Sequence, residues 1–234
     1  MKPLKILRRS EANQQYLAGY LPDFSVQADR KIEHESTGSV VGIDMGLKVF
    51  YTDSNRKTVE NPRHYRKAEK RLKRLHRQVS RKQKKSKNRK KARQHLAKAY
   101  LKVQRQREDF ARKTANALVT SHDLIAYEQL QIRHLVKNHK LAKSIHDAAW
   151  GQFLSCVKAY GMMHGREVIA VAPQYTSQDC SGCGTRVQKT LSTRTHVCPS
   201  CGLVVDRDEN AAINILAKAL DGTLRHRETH EPVS

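Results

Sequence analysis

The 234-residue sequence predicts an α/β fold with flanking helices, a long basic helical hairpin and an inserted four-cysteine zinc ribbon. Three observations carry that reading. Short apolar runs rich in β-branched residues, at 40–43, 124–127 and 168–171, are interleaved with stretches whose apolar residues recur at helical spacing. Residues 63–93 hold 17 Lys/Arg, with Glu69 the only acid among them. Two CxxC pairs, Cys180/Cys183 and Cys198/Cys201, stand a short polar segment apart.

Taken in order, Lys5-Ile6-Leu7, Tyr16 to Tyr20 and Phe24 to Arg30 read as short strands closing a small β-element, and residues 34–38 mark a break. Val40 to Asp44, Val49 to Thr52 and Lys57 to Val59 then predict a β-meander, with Asp44 at the tip of its first buried strand. Leu72, Leu75 and Val79 form the thin apolar stripe of a basic helix. The pattern lapses over 81–88 and resumes with Leu96, Tyr100, Val103, Phe110 and Leu118 on one face of a second helix. Leu124 to Glu128 is another buried strand ending in an acid, and residues 131–141 read as loop. Ser144 to Asp147 resembles an N-cap with an acid at N3, opening a helix that closes at Gly165. Cys156, within that helix, is a packing residue. Val168 to Val171 is a further strand. After Asp206-Arg207-Asp208-Glu209-Asn210 comes a helix over 211–220, followed by a polar tail.

Each CxxC can fold into a knuckle that aims two thiolates at one point, and two knuckles complete a tetrahedral Zn2+ site. The ribbon has too few apolar residues to fold without such a staple. Two disulfides are the alternative at these cysteines. A closed zinc site is structural, so reactive chemistry belongs elsewhere. Asp44, Glu128 and Asp208 share one description: an acid where a strand ends or a helix opens. If their strands are neighbours, three carboxylates converge and repel unless cations are bound. Oxygen-only ligands select Mg2+, with Mn2+ as its substitute, and a pair of such ions about 4 Å apart suits phosphodiester cleavage.

The charge balance is 45 Lys+Arg against 22 Asp+Glu, a formal net of +23 with a pI near 10.1. Such an excess points to a polyanionic partner, most simply nucleic acid. A membrane surface is the alternative, but no long apolar run exists and no basic amphipathic helix carries a strong aromatic face, so no membrane partner is expected. The N-terminus is basic but has no apolar core of signal-peptide length. Four of five cysteines in zinc spacing suit a reducing, cytoplasmic setting. The basic stretch is a phosphate-tracking arm, with Arg71, Arg74, Arg77, Arg81, Lys82, Lys84, Lys85, Lys87, Arg89 and Lys90 as candidate contacts.

Four segments, VVGIDMGLK, LIAYEQL, YTSQDCSGCG and CPSCGLVVDRDENAAINIL, resemble the RuvC-type nuclease core with inserted zinc ribbon of the TnpB/OrfB family. That family is carried by insertion sequences and is related to type V CRISPR effectors. The resemblance covers residues 40–220. It implies an RNase H-like (RuvC) mixed sheet and RNA-guided double-strand DNA cleavage, with a guide RNA and a target DNA as partners. It places the metal-binding acids on Asp44, Glu128 and Asp208. Asp208 is chosen over Asp206 because the family pattern is acid, any residue, Asn, and Asn210 then caps or braces the following helix.

The organisation expected from this resemblance is a short β remnant of an N-terminal domain (1–38) and a RuvC-like core (39–178) containing the hairpin (62–119). The zinc ribbon (179–204), a last RuvC segment with its helix (205–220) and a flexible tail (221–234) complete it. Family members usually carry a larger N-terminal region. The sequence is therefore expected to be a short form, a remnant, or one part of a split nuclease whose second protein subunit supplies that region. A non-cutting nucleic-acid-binding accessory or regulatory protein is the alternative reading, and strand-transfer chemistry uses similar carboxylates.

Overall fold

Side-chain parity along two adjacent strands decides the architecture. The computed structural model describes residues 5–7, 25–27, 35–190 and 193–228. Its centre is a five-stranded mixed sheet of β3 (Val40–Met45), β4 (Val49–Asp53), β5 (Thr58–Glu60), β6 (Leu124–Glu128) and β7 (Glu167–Val171), in the order β5-β4-β3-β6-β7. The β3-β4-β5 meander is antiparallel, as its turn sequences predict. β6 pairs with β3, and β7 with β6, in parallel.

Because successive strand residues face opposite sides, the two faces carry different partners. Val41, Ile43 and Met45 of β3 and Ile125 and Tyr127 of β6 point into the main core. There they meet helices α2 (Lys87–Ser121), α4 (His139–Ala148) and α5 (Trp150–Met163) through Ala115, Val119, Ile145, Phe153 and Val157. Phe50 lies edge-on to both Phe110 and Phe153, with ring centroids 4.9 and 5.0 Å away. Leu124 and Ala126 of β6 point the other way, with Val171, onto Ile215 and Ala219 of helix α6 (Arg207–Glu228). Gly42 of β3 shares that second face. A Cβ there would stand 2.2 Å from the Ala212 carbonyl oxygen and 2.8 Å from the Leu216 nitrogen, so only glycine lets α6 lie this close to the strand.

Helix α1 (His64–Ser80) and α2 form the basic hairpin, clasped by Leu72, Ala99 and Val103. The turn between them is shorter than the sequence suggests, because Ser86 caps α2 by accepting the Arg89 amide at 3.1 Å. Helix α1 has no side-chain cap of its own. Asp147, buried on α4, accepts the Tyr65 and Arg66 amides at 2.7 and 3.0 Å instead. This corrects the expected cap at Ser144–Asp147, since α4 starts earlier, behind Asn138, whose side chain accepts the Lys140 amide. Residues 132–135 form a short helix, α3 (Ile132–Leu135), rather than loop. Ala149, at φ 55°, separates α4 from α5, and α5 stops before Gly165, at φ +62°.

Asp123, just past α2, buckles the sheet edge by accepting from the Thr37 and Gly38 amides at 2.9 and 2.8 Å and from Arg166. The remaining strands are β1 (Lys5–Leu7), antiparallel to β2 (Ser25–Gln27), and the ribbon hairpin of β8 (Thr195–Val197) with β9 (Val204–Asp206). The strand expected at Tyr16–Tyr20 lies outside the described residues. Helix α6 departs from expectation at both ends. Asp206 starts it by accepting the Asp208 and Glu209 amides, at 2.8 and 3.4 Å, so the DRDEN acids sit in its first turn. It also runs on to Glu228, into the expected flexible tail, where Leu224, Arg225 and Arg227 are good helix formers; residues 229–234 of that tail lie outside the described residues. Among the described residues no helix is long and apolar enough to cross a membrane.

Candidate metal centre and nucleic-acid interface

The parity that puts Gly42 against α6 puts Asp44, two residues on, on the same face. Leu124 and Ala126 do the same for Glu128. The parallel register pairs Ile43 with Tyr127, so the next residues along, Asp44 and Glu128, leave adjacent strands side by side. Asp208 lies one helical turn before Ala212, the residue that rests on Gly42. Three acids separated by 84 and 80 positions in the chain are thus brought to one end of the sheet, where α6 begins. Among the described residues, the four cysteines alone bring three or more ligand atoms within 4.8 Å of one another.

Their electrostatics agree with that placement. Burial, then the charges of Asp208 and Glu128, push the half-buried Asp44 carboxyl up to about 8. Burial also raises Glu128, against the lowering effects of a hydrogen bond from Thr176 Oγ1 at 2.9 Å and the charge of Lys218. Asp208 is held differently. Its Oδ1 accepts from Arg207 Nε and Nη2, both at 3.1 Å, and Arg194 of the ribbon lies 3.7 Å from Oδ2. Arg207 also donates through Nη1 to the Thr193 carbonyl at 3.1 Å. Asp206 is occupied in capping α6, and of the two aspartates of DRDEN the charge of Asp208 acts more strongly on Asp44. Arg56, on the β4–β5 turn, pairs with Glu209 at 2.8 Å and ties the meander to the same helix start. The carboxylates of this cluster offer oxygen donors only, the type that suits a hard divalent cation.

The four cysteines also converge. One sulfur from each lies within 4.8 Å of the other three. Cys180 and Cys201 are 3.6 Å apart, as are Cys183 and Cys198. Sulfurs each about 2.3 Å from one tetrahedral Zn2+ stand roughly 3.8 Å from one another, so the spacing fits zinc and excludes disulfides. Hydrogen bonds from Thr185, hydroxyl first and then amide, draw Cys183 down to about 6. The Leu203 amide favours the Cys201 thiolate, but crowding by Cys183 and Cys198 outweighs it and Cys201 is pushed up to about 12. Four such sulfurs become thiolates together only around a cation.

The ribbon is bolted to α6. Asn210, fully buried, accepts the Ser181 amide at 3.0 Å and donates to the Asp179 carbonyl at 2.8 Å. Asn214, one turn on, donates to the carbonyls of Thr176 and Asp179 at 2.8 and 2.7 Å. Bracing by Asn210 is therefore as expected. The parts played by Asn214, Thr176, Arg207 and Arg194 were missed. The i,i+4 spacing of the two asparagines on a helix was the available signal; Thr176 lies in the segment YTSQDCSGCG that carries the resemblance, but nothing there marked it as a partner of Glu128.

On the hairpin, Arg71, Arg74 and Arg77 lie exposed on α1, and Arg81, Lys82, Lys84 and Lys85 in the turn. Lys87, Arg89 and Lys90 open α2, where Arg89 alone is half-buried. Glu69, the arm's lone acid, is engaged elsewhere, by Lys73 and Lys143 at 2.9 and 2.8 Å. None of the ten candidates is ion-paired among the described residues, so their charge is unspent at the surface.

Comparison with known proteins fits this arrangement. The profile of the OrfB_IS605 family, described as "Probable transposase", matches residues 23–139, half of the chain, and that of the Cas12f1-like TNB domain matches residues 150–215. A Streptomyces pristinaespiralis protein named "Putative RNA-guided DNA endonuclease" is 39% identical over 202 residues, covering 83% of this chain and 50% of that protein. "Putative RNA-guided DNA endonuclease InsQ" of Escherichia coli strain K12 is 31% identical, covering 82% and 52%. The chain thus spans about half the length of these curated relatives. Among solved structures, a cryo-EM CRISPR-Cas12f ternary complex superposes with a TM-score of 0.58 at 16% identity, over 91% of this chain and 44% of that one, which shows a shared fold. With the family profile over half its length, a zinc-binding domain matched next to it and this fold beneath both, the chain belongs to the OrfB/TnpB family.

Proposed function

We propose that this chain provides the cleaving core of an RNA-guided DNA endonuclease, in which Asp44, Glu128 and Asp208 hold Mg2+ and the α1–α2 arm holds nucleic-acid backbone. The observation that carries the reading is the setting of Asp44, partly buried beside Glu128 on the adjacent strand and within the field of Asp208. A half-buried carboxyl pushed up to about 8 by burial first, and then by the charges of Asp208 and Glu128, is a standing cost to the fold unless a cation relieves it. When bound, Mg2+, or Mn2+ in its place, supplies activation of the attacking water and charge stabilisation at the leaving oxygen.

The chain's own residues do the rest. Asp44 carries a proton near neutral pH and releases it when a cation competes. Thr176 and Arg207 each fix one oxygen of Glu128 and Asp208, so the cluster presents oriented lone pairs. The four cysteines hold a structural Zn2+ that keeps the ribbon, and with it Arg194 and Thr193, against Asp208. The exposed cations from Arg71 to Lys90 track phosphates, which positions guide RNA and target DNA without reading their sequence.

The test is cleavage of target DNA by the protein carrying its co-purified RNA, in Mg2+ and in Mn2+. Asp44→Ala should abolish cutting and leave nucleic-acid binding nearly unchanged. If Asp44→Ala cuts as well as wild type, the acids are wrongly assigned. If the wild-type chain binds RNA and DNA but nicks neither, it is a non-cutting member of the family.

A further inference from the structure

The root of the zinc ribbon reaches further into the acid cluster than anchoring requires. Thr176, on the loop between β7 and the first cysteine, is 4% exposed. Its hydroxyl donates to Glu128 Oε1 at 2.9 Å, with the Pro173 carbonyl a more distant acceptor at 3.3 Å. Its carbonyl is held by Asn214 Nδ2 at 2.8 Å, and the same amide group holds Asp179 at 2.7 Å. Asn210 carries the chain of bonds on to Ser181, the neighbour of Cys180. An unbroken set of hydrogen bonds therefore runs from a zinc knuckle, across one face of α6, to one oxygen of Glu128.

The geometry points to Thr176 as a positioning residue for the divalent-cation site: its hydroxyl occupies Oε1 of Glu128 and leaves Oε2 to the cation, while Asn214 and the ribbon fix Thr176 itself. This rests on reading the three acids as a cation site. The physical need is clear. Glutamate has three rotatable bonds, and its carboxylate stands at the open end of a strand. A metal site requires its oxygens preset to within roughly 0.5 Å, so a ligand on a long side chain needs a second partner to select one rotamer. Asp44 has the shorter side chain and leaves from inside β3, and Asp208 has its arginines; among the described residues Thr176 is the hydrogen-bond donor to Glu128. The arrangement gives the ribbon a part in the metal centre without bringing the zinc near the reaction.

The experiment is an Mn2+ titration of the zinc-loaded full chain, read by loss of the free-ion electron paramagnetic resonance signal, with zinc content and melting temperature recorded for every variant. Thr176→Val keeps the shape and removes the donor, and should weaken Mn2+ binding about 10-fold or more. Thr176→Ser keeps the donor and should stay within about threefold of wild type. Asn214→Ala should weaken Mn2+ in the same direction by loosening Thr176. Wild-type Mn2+ affinity in Thr176→Val overturns the assignment. If that variant does not fold, wild-type affinity in Asn214→Ala overturns it instead. Asp44→Asn separates the two levels. If it also binds Mn2+ as wild type does, the acid cluster is not the cation site. If it loses Mn2+ while Thr176→Val does not, only the role of Thr176 falls.

Discussion

Neutralising a residue proposed to hold the metal should make this protein more stable. In zinc-loaded protein without other divalent ions, Asp44→Asn removes a carboxyl whose folded form takes a proton at about 8 rather than at the ordinary 3.8. A carboxyl raised on folding adds its full stability only below the unfolded value, and that stability is lost as pH rises from about 4 to about 8. Without screening the cost at pH 7 would be about 4 kcal/mol, since about three-quarters of the gap between the two values has been crossed. Asp44 is only half-buried, and solvent screening brings the expected figure to about 1–2 kcal/mol. For a chain of this size that is roughly a 2–8 °C rise in melting temperature. The assay is a thermal melt from pH 5 to 8.5, with and without Mg2+. The gap between variant and wild type should open as pH rises. Mg2+ should raise the melting temperature of wild type and not of Asp44→Asn. Identical melting curves at pH 8 without Mg2+, or equal stabilisation of both proteins by Mg2+, would refute the reasoning.

Other perturbations follow from the same contacts. Gly42→Ala drives a methyl into the Ala212 carbonyl; it should cost about 1–3 kcal/mol and abolish the Mg2+-induced rise in melting temperature by displacing α6. Asp147→Ala removes the cap that α4 lends to α1; a loss of about 1–2 kcal/mol is expected, with faster hydrogen exchange at the Tyr65 and Arg66 amides. The triple change Arg81→Gln, Lys84→Gln and Lys85→Gln should flatten the slope of log affinity against log salt by about 2 to 3 for duplex or single-stranded nucleic acid, whatever the sequence. Removing the metal with a zinc chelator should expose four reactive thiols, which a thiol reagent counts, and release the ribbon while β3–β7 remain folded.

The sequence displayed its elements better than their neighbours. Apolar runs, CxxC spacing and charge density each report locally, so the meander, the ribbon and the arm could be read directly. Helix starts were less legible where the cap is non-local. Nothing near residue 64 shows that Asp147 caps α1, and that same acid invited a false cap on its own helix. The three acids were named by type and position, but their placement at one end of the sheet depends on the parallel pairing of β3 with β6 and on Gly42 admitting α6. Both are tertiary facts that no local window contains. The role of Thr176 was hidden for a further reason: it sits in the family-like segment YTSQDCSGCG, but only its distance from Glu128 shows what it does.

Diffraction from crystals soaked in MnCl2, recorded at the manganese absorption edge, tests the central claim most directly. Anomalous peaks touching the carboxylates of Asp44, Glu128 and Asp208 together are the predicted result. Manganese bound only elsewhere, with those carboxylates bare, would contradict it.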